Sequence, residues 1–272
     1  MKKLNLIFPF LKILITKPSV IFKSLYHTVI NYNRQQFVIN EFGLKNGLPE
    51  VDLFTLFPKV EATIKPFSFL YGASMPIDMT LLKMLAEKFN GQCDFMEIGT
   101  WRGESISIVA PVCNTCTSLS LGDEDMRRFG FNERMIGMQR FYSKNIKNIT
   151  HISGNSLTFD YSTLNKKFDL IFVDGDHSYD GVRIDTQNVF KLLKDDKSMI
   201  VWHDYSSSYE QIDWEVFAGI LAGAPADARK HIYHVRNTFC ALYTKANVTT
   251  ESKNFPHVPD KIFEIGIKAE KI

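Results

Sequence analysis

The sequence predicts an α/β fold in which a mostly parallel sheet of seven strands ends in an antiparallel hairpin and carries helices on both faces. From Pro76 onward, helical and strand-like patterns alternate, which is typical of right-handed crossovers between parallel strands. The last two strand patterns are separated only by a tight turn near Asn237, so the final strand must run antiparallel to its neighbour.

Hydrophobic spacing and turn residues predict the individual elements. Residues 77–89 place apolar side chains at helical spacing, and residues 169–173 (DLIFV) form a continuous run of the kind that is buried on both faces of a sheet. The predicted strands are 94–98, 117–121, 149–152, 169–173, 198–202, 231–235 and 238–243. The predicted helices in this part of the chain are 77–89, 103–112, 133–144, 179–194 and 214–221.

The length of 272 residues suits one α/β domain with an extension. Residues 1–75 are predicted to form an N-terminal extension that is helical at first and then loop-like, because glycines and prolines recur between Gly43 and Pro66. Residues 76–245 form the predicted main domain, and residues 246–272 a C-terminal tail.

Composition and charge restrict the class of protein. Apolar residues make up 45% of the chain, enough for a sizeable core, and the net charge of +2 gives no sign of a dedicated duplex-DNA binder. Of the four cysteines, Cys113 and Cys116 form a lone C-x-x-C without the two further ligands that a structural zinc site needs. We therefore interpret them as small buried thiols.

The first 40 residues are basic and contain no acid. The apolar run that begins at Leu6 is interrupted by Lys12, so it is too short to span a bilayer and fits a signal peptide poorly. Two interpretations remain open: a basic amphipathic segment on an anionic membrane surface, or helices that pack on the main domain or on a second subunit. We favour packing, since amphipathic helices mostly face protein cores. The basic residues are Lys2, Lys3, Lys12, Lys17, Lys23 and Arg34.

The turn from the first predicted strand into its helix has the sequence EIGTWRGES (residues 97–105). Ligands of open α/β sheets bind outside the carboxyl ends of the strands, and Gly99 lets the backbone approach a ligand without a Cβ in the way. Gly103 opens a helix whose free N–H groups face the same crevice. Because the spacing is not G-x-G-x-x-G, a dinucleotide pyrophosphate is disfavoured.

Further polar stretches follow the later strands. The longest is FDLIFVDGDHSYDGV (residues 168–182), after the fourth strand; SGNS (153–156) and WHDY (202–205) follow the third and fifth. The segment FLYGASMP (69–76) precedes the first helix of the main domain. Since the carboxyl ends of parallel strands meet at one edge of a sheet, these stretches are expected to form one site.

Together these motifs resemble those of class I S-adenosylmethionine (SAM)-dependent methyltransferases, in particular the type 24 methyltransferase family. That family lies near the macrocin-type sugar O-methyltransferases and the cephalosporin hydroxylase-like proteins. The resemblance covers roughly residues 65–245 and implies a Rossmann-like fold with SAM as the cofactor. It also implies methylation of a hydroxyl on a sugar or another small molecule.

The resemblance assigns cofactor contacts by position. It implies that residues 97–105, which we call the glycine loop, hold the methionine part of SAM. It also implies that Asn155 and Ser156 lie near the adenine, and that Asp174 lies beside the transferring methyl group. The family usually has an aspartate where Asn155 stands, and its ribose-binding acid normally ends the second strand. Here the acids come later, and Asp123 is the candidate for the ribose. The loop residues concerned are Glu97, Gly99, Thr100, Gly103 and Ser105.

Two routes could remove the proton of the acceptor. Asp174 and Asp204, with Asp176 or His203, could hold Mg²⁺, which related O-methyltransferases bind with acids at the ends of the same strands. Alternatively, His177 or His203 could act as a general base. For both histidines an orienting hydrogen bond remains open as a structural role.

Other functions remain open as well. A non-catalytic protein could keep the SAM pocket, and a different small-molecule enzyme of the cephalosporin hydroxylase-like group could share the fold. A nucleic-acid methyltransferase is disfavoured, because a flipped-base enzyme often shows D/N-P-P-[YF] where this chain has DGDH. We expect a small-molecule acceptor, no nucleic acid, a cytoplasmic location with membrane contact left open, and a homo-oligomer as a further possibility.

Overall fold

A nine-stranded sheet forms the centre of the computed structural model, which describes residues 7–72, 74–208, 211–253 and 256–272. The strands of this sheet are β1 (Glu50–Val51), β2 (Cys93–Ile98), β3 (Cys113–Ser120), β4 (Ile149–Ser153), β5 (Leu170–Val173), β6 (Met199–Trp202), β9 (Ile232–Val235), β10 (Ala241–Tyr243) and β11 (Thr250–Glu251). Two short strands, β7 (Ser206–Ser208) and β8 (Gln211–Ile212), pair separately.

Helices cover both faces of the sheet and also form the N-terminal extension. They are α1 (Ile7–Thr16), α2 (Pro18–Phe42), α3 (Leu53–Leu56), α4 (Pro76–Glu87), α5 (Glu104–Val109), α6 (Asp123–Arg128), α7 (Glu133–Gly137), α8 (Tyr179–Phe190) and α9 (Trp214–Gly223). Short 3₁₀ turns occupy Ala110–Val112, Tyr161–Leu164 and Arg229–His231.

The strand order is β11-β1-β9-β10-β6-β5-β2-β3-β4. Strands β2 to β6 run parallel, whereas β10 is antiparallel to both β6 and β9. The chain enters the sheet centre at β2, proceeds outward to β4, and then returns to place β5 on the other side of β2. The direction of the strand order reverses between β2 and β5, and open α/β sheets bind their ligands outside the carboxyl ends of the strands at such a point.

The hydrophobic core has two layers, one on each face of the sheet. On one face, α8, α9 and the end of α2 cover side chains such as Met96, Ile171 and Trp202. On the other face, α3, α4 and α5 cover Phe95 and Phe172, among others. Both layers pack closely against the strands, so the residues at the strand ends are held in fixed positions.

All seven predicted strands are present, and the predicted hairpin turns at Asn237, which has a φ of +70°. Two strands were not predicted: β1 extends the sheet beside β9, and β11 pairs antiparallel with β1. All four cysteines are buried and free, as predicted for Cys113 and Cys116.

The helix predicted over 133–144 is wrong beyond Gly137. Arg140 has a φ of +58°, which a helix does not allow, and its N–H donates to the carbonyl oxygen of Trp101. The Tyr142 N–H donates to the carbonyl of Arg102 at 2.9 Å. The segment therefore gives up helical hydrogen bonds and lies over the glycine loop. Helix α6 was not predicted.

The N-terminal helices extend away from the core. Every residue of α1 is exposed, and α2 reaches the core only in its last turns, where Val38 is buried and Phe37 packs edge-to-face on Tyr179. Lys2, Lys3 and Leu6 lie outside the described residues. Within the described part of the chain, none of the helices combines the length and the apolar character needed to cross a membrane.

Candidate functional site

The site lies where β2 and β5 end side by side. Gly99 follows β2 with a φ of +93°, and a Cβ placed on it would lie 2.0 Å from the carbonyl oxygen of Asp174, which follows β5. Only glycine can supply both this left-handed conformation and this close approach. The two strand ends, and the polar groups that follow them, are thus brought together by the glycine.

The carboxylate of Glu97 lies beneath this loop and is fully buried. It accepts hydrogen bonds from the hydroxyls of Thr100 and Ser105, each at 2.5 Å, while the Thr100 oxygen lies 2.6 Å from the Ser118 hydroxyl oxygen. Burial raises the pKa of Glu97 to about 7; the two hydroxyls oppose this rise and the nearby charge of Asp174 adds to it. Three of the predicted SAM-loop residues therefore form one hydrogen-bonded unit.

Gly103 closes the loop as the residue before α5, with a φ of +79°. A Cβ at this position would lie 2.2 Å from the hydroxyl oxygen of Ser143, which belongs to the segment that lies over the loop. The glycine loop is consequently packed between β2 below and residues 140–143 above.

A network of acids and histidines occupies the ends of β5 and β6. The carboxylate of Asp204 lies 3.1 Å from Nε2 of His177 and 3.0 Å from Nδ1 of His203. Asp174 Oδ1 lies 3.5 Å from Nε2 of His177 and 3.4 Å from Nδ1 of His203. Asp204 has a φ of +54°, an uncommon conformation outside glycine, and such strain is frequent at functional sites.

The network continues to a buried acid on α4. Asp78 is fully buried; its Oδ2 lies 3.2 Å from Nε2 of His203 and accepts the Met75 N–H at 2.9 Å. Its Oδ1 accepts the N–H of Phe239, also at 2.9 Å. Asp78 thereby fixes the ring of His203 from the side opposite Asp174 and Asp204.

These pairings shift the pKa values of the network in opposite directions. Burial alone would raise the pKa of Asp174, but the positive charges of His203 and His177 outweigh it and hold that pKa at about 2. The hydrogen bond to Asp174 raises the pKa of His177 to about 9, although burial opposes the rise. Burial would lower the pKa of His203, yet the carboxylates raise it well above its usual value.

The predicted adenine-side residues lie at the end of β4. The Asn155 side-chain oxygen accepts the N–H of Leu157 at 3.0 Å, and so forms a turn in the loop. Ser156 lies near the carboxylate of Asp185 and opposes part of the rise in the pKa of that carboxylate, although the two side chains make no well-directed hydrogen bond. Burial raises the pKa of Asp185 to about 7. Among the described residues, neither carboxylate oxygen of Asp185 nor the Tyr161 hydroxyl has a hydrogen-bond partner.

Asp123, the predicted ribose acid, is exposed and is the first residue of α6. Arg140 lies near it: one guanidinium nitrogen donates to the hydroxyls of Ser120 and Ser153, at 3.1 and 3.2 Å, at the ends of β3 and β4. A cation thus joins Asp123 at the sheet edge where the resemblance implies that the ribose and adenine lie.

A buried ion pair ties the glycine loop to the preceding segment. Arg102 and Glu104 lie 2.9 Å apart and are almost fully buried. Arg102 also donates to the carbonyl of Tyr71 at 2.9 Å, and Glu104 accepts the Ser68 N–H at 2.7 Å. The exposed aromatic residues 69 and 71 are therefore held beside the glycine loop.

The structure places most of the predicted site residues around one crevice. Glu97, Gly99, Thr100, Gly103 and Ser105 form the loop, and Asp174, His177, His203 and Asp204 form the network. Asn155, Ser156 and Asp123 lie along the β3–β4 side. Sequence reasoning missed Asp78, Asp185 and Arg140. Asp78 sits in the first turn of a helix with apolar residues on either side, and that was the only available signal.

The strand order defines the class of fold. Apart from the added β1 and β11, a parallel β4-β3-β2-β5-β6 array followed by an antiparallel β10 and then β9 is the Rossmann-like arrangement of class I methyltransferases. Residues 96–205 match a family model whose description is "Methyltransferase domain". The match begins in β2 and ends just after β6, and it confirms the resemblance to methyltransferases for this part of the chain.

Two solved structures similar to this chain are those of O-methyltransferases, at low identity. An O-methyltransferase from Bacillus cereus in complex with SAH is 16% identical, with 65% of this chain and 84% of that chain covered and a TM-score of 0.44. The O-methyltransferase TomG from Streptomyces achromogenes is 16% identical, with 63% and 82% covered and a TM-score of 0.44. A search of curated protein sequences found no match.

Proposed function

We propose that this protein is a SAM-dependent methyltransferase that methylates a hydroxyl group of a sugar or another small molecule. The observation that carries the proposal is the meeting of two groups at one crevice. The glycine loop with its buried Glu97 follows β2, and the Asp174–His177–Asp204 cluster follows β5 and β6. The family match over residues 96–205 supports methyl transfer as the reaction.

The loop fits a cofactor that carries an amino acid moiety. Gly99 lets the loop backbone pass directly against the backbone of Asp174, and the carboxylate of Glu97 provides negative charge below the loop. A cationic amino group at this position would find an acid that is otherwise costly to ionise. SAM brings an activated methyl group on a sulfonium, so the protein has to supply binding and orientation.

His177 is the residue that we propose as the base. Because its pKa of about 9 keeps the imidazole mostly protonated at neutral pH, it accepts a proton only in its deprotonated fraction, and activity should rise with pH toward 9. The His177 side chain is about half exposed, whereas that of His203 is 7% exposed, so His177 can reach an acceptor hydroxyl in the crevice. Asp174 and Asp204 orient its Nε2 atom. We assign His203 a positioning role, because contacts to Asp78 on one side and to Asp174 and Asp204 on the other surround its ring.

The same cluster fits a divalent cation. Ligand atoms of Asp174, His177 and Asp204 all lie within 4.8 Å of one another, and the two carboxylates are the hard donors that Mg²⁺ prefers. A bound cation would lower the pKa of a coordinated hydroxyl. Asp174 and Asp204 would hold the cation, with His177 beside them.

The neighbouring segment suggests where the acceptor binds. Tyr71 is 92% exposed and Phe69 is 62% exposed, and the Arg102–Glu104 pair holds this segment against the glycine loop. Trp101 lies on the loop itself, where a Cβ on Gly72 would lie 2.8 Å from its ring. Aromatic faces with few polar groups are typical of sites for small molecules with apolar surfaces.

Two other functions share this fold: a SAM-binding protein without catalysis, and a different enzyme of the cephalosporin hydroxylase-like group. The first predicts SAM binding with no transfer to any acceptor. The second predicts conversion of an acceptor without gain of a methyl group. Methyl transfer itself therefore separates the three functions.

The test is transfer of radiolabelled methyl from SAM to a panel of hydroxylated sugars and small aromatic alcohols, with and without Mg²⁺. We expect incorporation by the wild-type protein and a loss of about 10²–10⁴-fold in His177→Asn, the range for removal of a general base. His231→Asn, on the distant Arg229–His231 turn, is the matched control and should keep full activity. Equal incorporation by wild type and His177→Asn would remove the proposed role of His177. No incorporation with any acceptor, despite SAM binding, would favour the non-catalytic function.

A further inference from the structure

The N-terminal helices present a large apolar surface to solvent. Of the 26 large hydrophobic side chains exposed among the described residues, 13 lie between Ile7 and Tyr32. Phe8 and Ile15 are 83% and 79% exposed. Soluble monomers rarely leave so large a contiguous apolar surface uncovered, so this one is expected to contact something else.

The apolar residues of α2 form a stripe at helical spacing. Phe22, Leu25, Tyr26 and Val29 follow the i, i+3, i+4, i+7 pattern and line a shallow concavity with Lys23. Only the later part of α2 packs on the protein: Arg34 stacks on Tyr179 at 3.8 Å, beyond the exposed part of the stripe. The first half of α2 therefore has an amphipathic pattern without a core to face.

The charge of this region has one sign. The first 40 residues contain no acid, and Lys12, Lys17 and Lys23 are interleaved with the exposed apolar residues. A second copy docked face to face would bring these cations together, since a two-fold interface pairs like surfaces. An anionic lipid surface would instead attract the lysines and accept the apolar side chains.

We propose that α1 and the first half of α2, residues 7–32, dock this protein on an anionic membrane interface. The helices lie in the headgroup region with their apolar side chains inserted, and the lysines contact lipid phosphates or carboxylates. None of the described helices is suited to cross the bilayer, so the contact is peripheral. This inference is independent of the proposed methyltransferase activity.

Vesicle co-sedimentation with the full chain tests the proposal. We expect binding to vesicles of phosphatidylcholine with phosphatidylglycerol, much weaker binding to phosphatidylcholine alone, and weakening by salt. Each lysine near an anionic surface strengthens binding by roughly fivefold, so Lys12→Gln/Lys17→Gln/Lys23→Gln should bind about 100-fold more weakly. Lys144→Gln/Lys147→Gln/Lys230→Gln is the matched control, with three exposed lysines elsewhere, and should bind like the wild type.

A second variant tests the apolar contribution. Phe8→Ser/Phe22→Ser keeps every charge, and because both side chains are exposed it should fold like the wild type. We expect it to lose vesicle binding by at least tenfold. Two results would overturn the proposal: equal binding of the wild type to both kinds of vesicle, or a dimer in light scattering that dissociates in this variant while vesicles bind neither protein.

Discussion

Glu97 in the glycine loop is the residue whose ionisation state should control the affinity for the cofactor. Its pKa is raised to about 7 by burial, so the fraction of ionised Glu97 rises steeply near neutral pH. If the carboxylate holds the cationic amino group of SAM, affinity should increase by roughly eightfold between about pH 6 and about pH 7.5. The measurement is the dissociation constant of SAM across this range. In Glu97→Gln the increase should vanish, and a flat profile for the wild type would contradict the assignment.

Asp185 gives a second prediction, on stability. Its folded-state pKa, raised by burial from 3.8 to about 7, means that its contribution to stability is complete below pH 3.8 and lost as pH rises through 7. Asp185→Asn is neutral at every pH and should therefore be more stable than the wild type above pH 7, by up to about 4 kcal/mol. Urea unfolding at about pH 5 and about pH 8.5 measures this. A stability difference that is equal at both pH values would show that Asp185 does not titrate in this way.

Among the individual site residues, those that lie at strand ends could be predicted from the sequence. Glu97, Asp174 and His177 come together because parallel strands end at one edge, which is readable from the strand pattern. Asp78 was missed because its partner His203 is 125 residues away in the chain and no local pattern reports that contact. Arg140 was missed because it sits inside a segment with a helical pattern.

Among the elements, the segment 68–72 depends on the buried Arg102–Glu104 pair. Arg102→Met leaves Glu104 buried without its cation, which typically costs about 3–5 kcal/mol, and Arg102→Met/Glu104→Met should recover part of that loss. Arg183→Met is the matched control: its pair with Asp180 is exposed, so its removal should cost less than about 1 kcal/mol. Chemical denaturation measures all three, and equal losses for Arg102→Met and Arg183→Met would contradict the buried-pair argument.

The elements were predicted where local pattern and tertiary contacts agree. Strands β5 and β6 are continuous apolar runs and were found directly. The helix predicted over 133–144 ended early because the N–H groups of Arg140 and Tyr142 bond to the glycine loop. These hydrogen bonds are made to residues that are far away in the sequence, so the spacing of hydrophobic residues could not predict where the helix ends.

In the molecule as a whole, the edge of the sheet joins the extension to the C-terminal tail. Glu50 on β1 is buried and contacts Nδ1 of His234 at 3.0 Å and Nε2 of His257 at 2.7 Å. Burial would raise its pKa, but the two histidines lower it, so this contribution to stability is present above the usual carboxylate range and is lost as pH falls.

Glu50→Gln should therefore loosen the tail as well as destabilise the fold. Removing the charge of a buried carboxylate that two histidine rings hydrogen-bond should cost about 1.5–3 kcal/mol, the range for hydrogen bonds to a charged group, and residues 252–272 should become more sensitive to proteolysis. Glu251→Gln, at an exposed acid on the neighbouring strand, is the control. Thermal unfolding and limited proteolysis measure the two effects. Unchanged cleavage of the tail in Glu50→Gln would show that this contact does not hold it.

The seven strands and the antiparallel hairpin could be predicted because each has a local pattern, whereas their order across the sheet was not predicted. Strands β1 and β11 are two residues long and come from the segments on either side of the main domain, so neither carries a recognisable pattern. The position of α1 away from the core could not be predicted either, because an amphipathic helix has the same sequence pattern whether it faces a protein core or a membrane.

The most direct test of the central claim is calorimetric titration of SAM into the purified protein, with NAD as the comparison ligand. The glycine loop lacks the G-x-G-x-x-G spacing of dinucleotide sites and carries a buried acid, so we expect SAM to bind with micromolar affinity at one site per chain and NAD not to bind. Absence of SAM binding, or equal binding of both ligands, would contradict the assignment of this crevice to a methyltransferase cofactor.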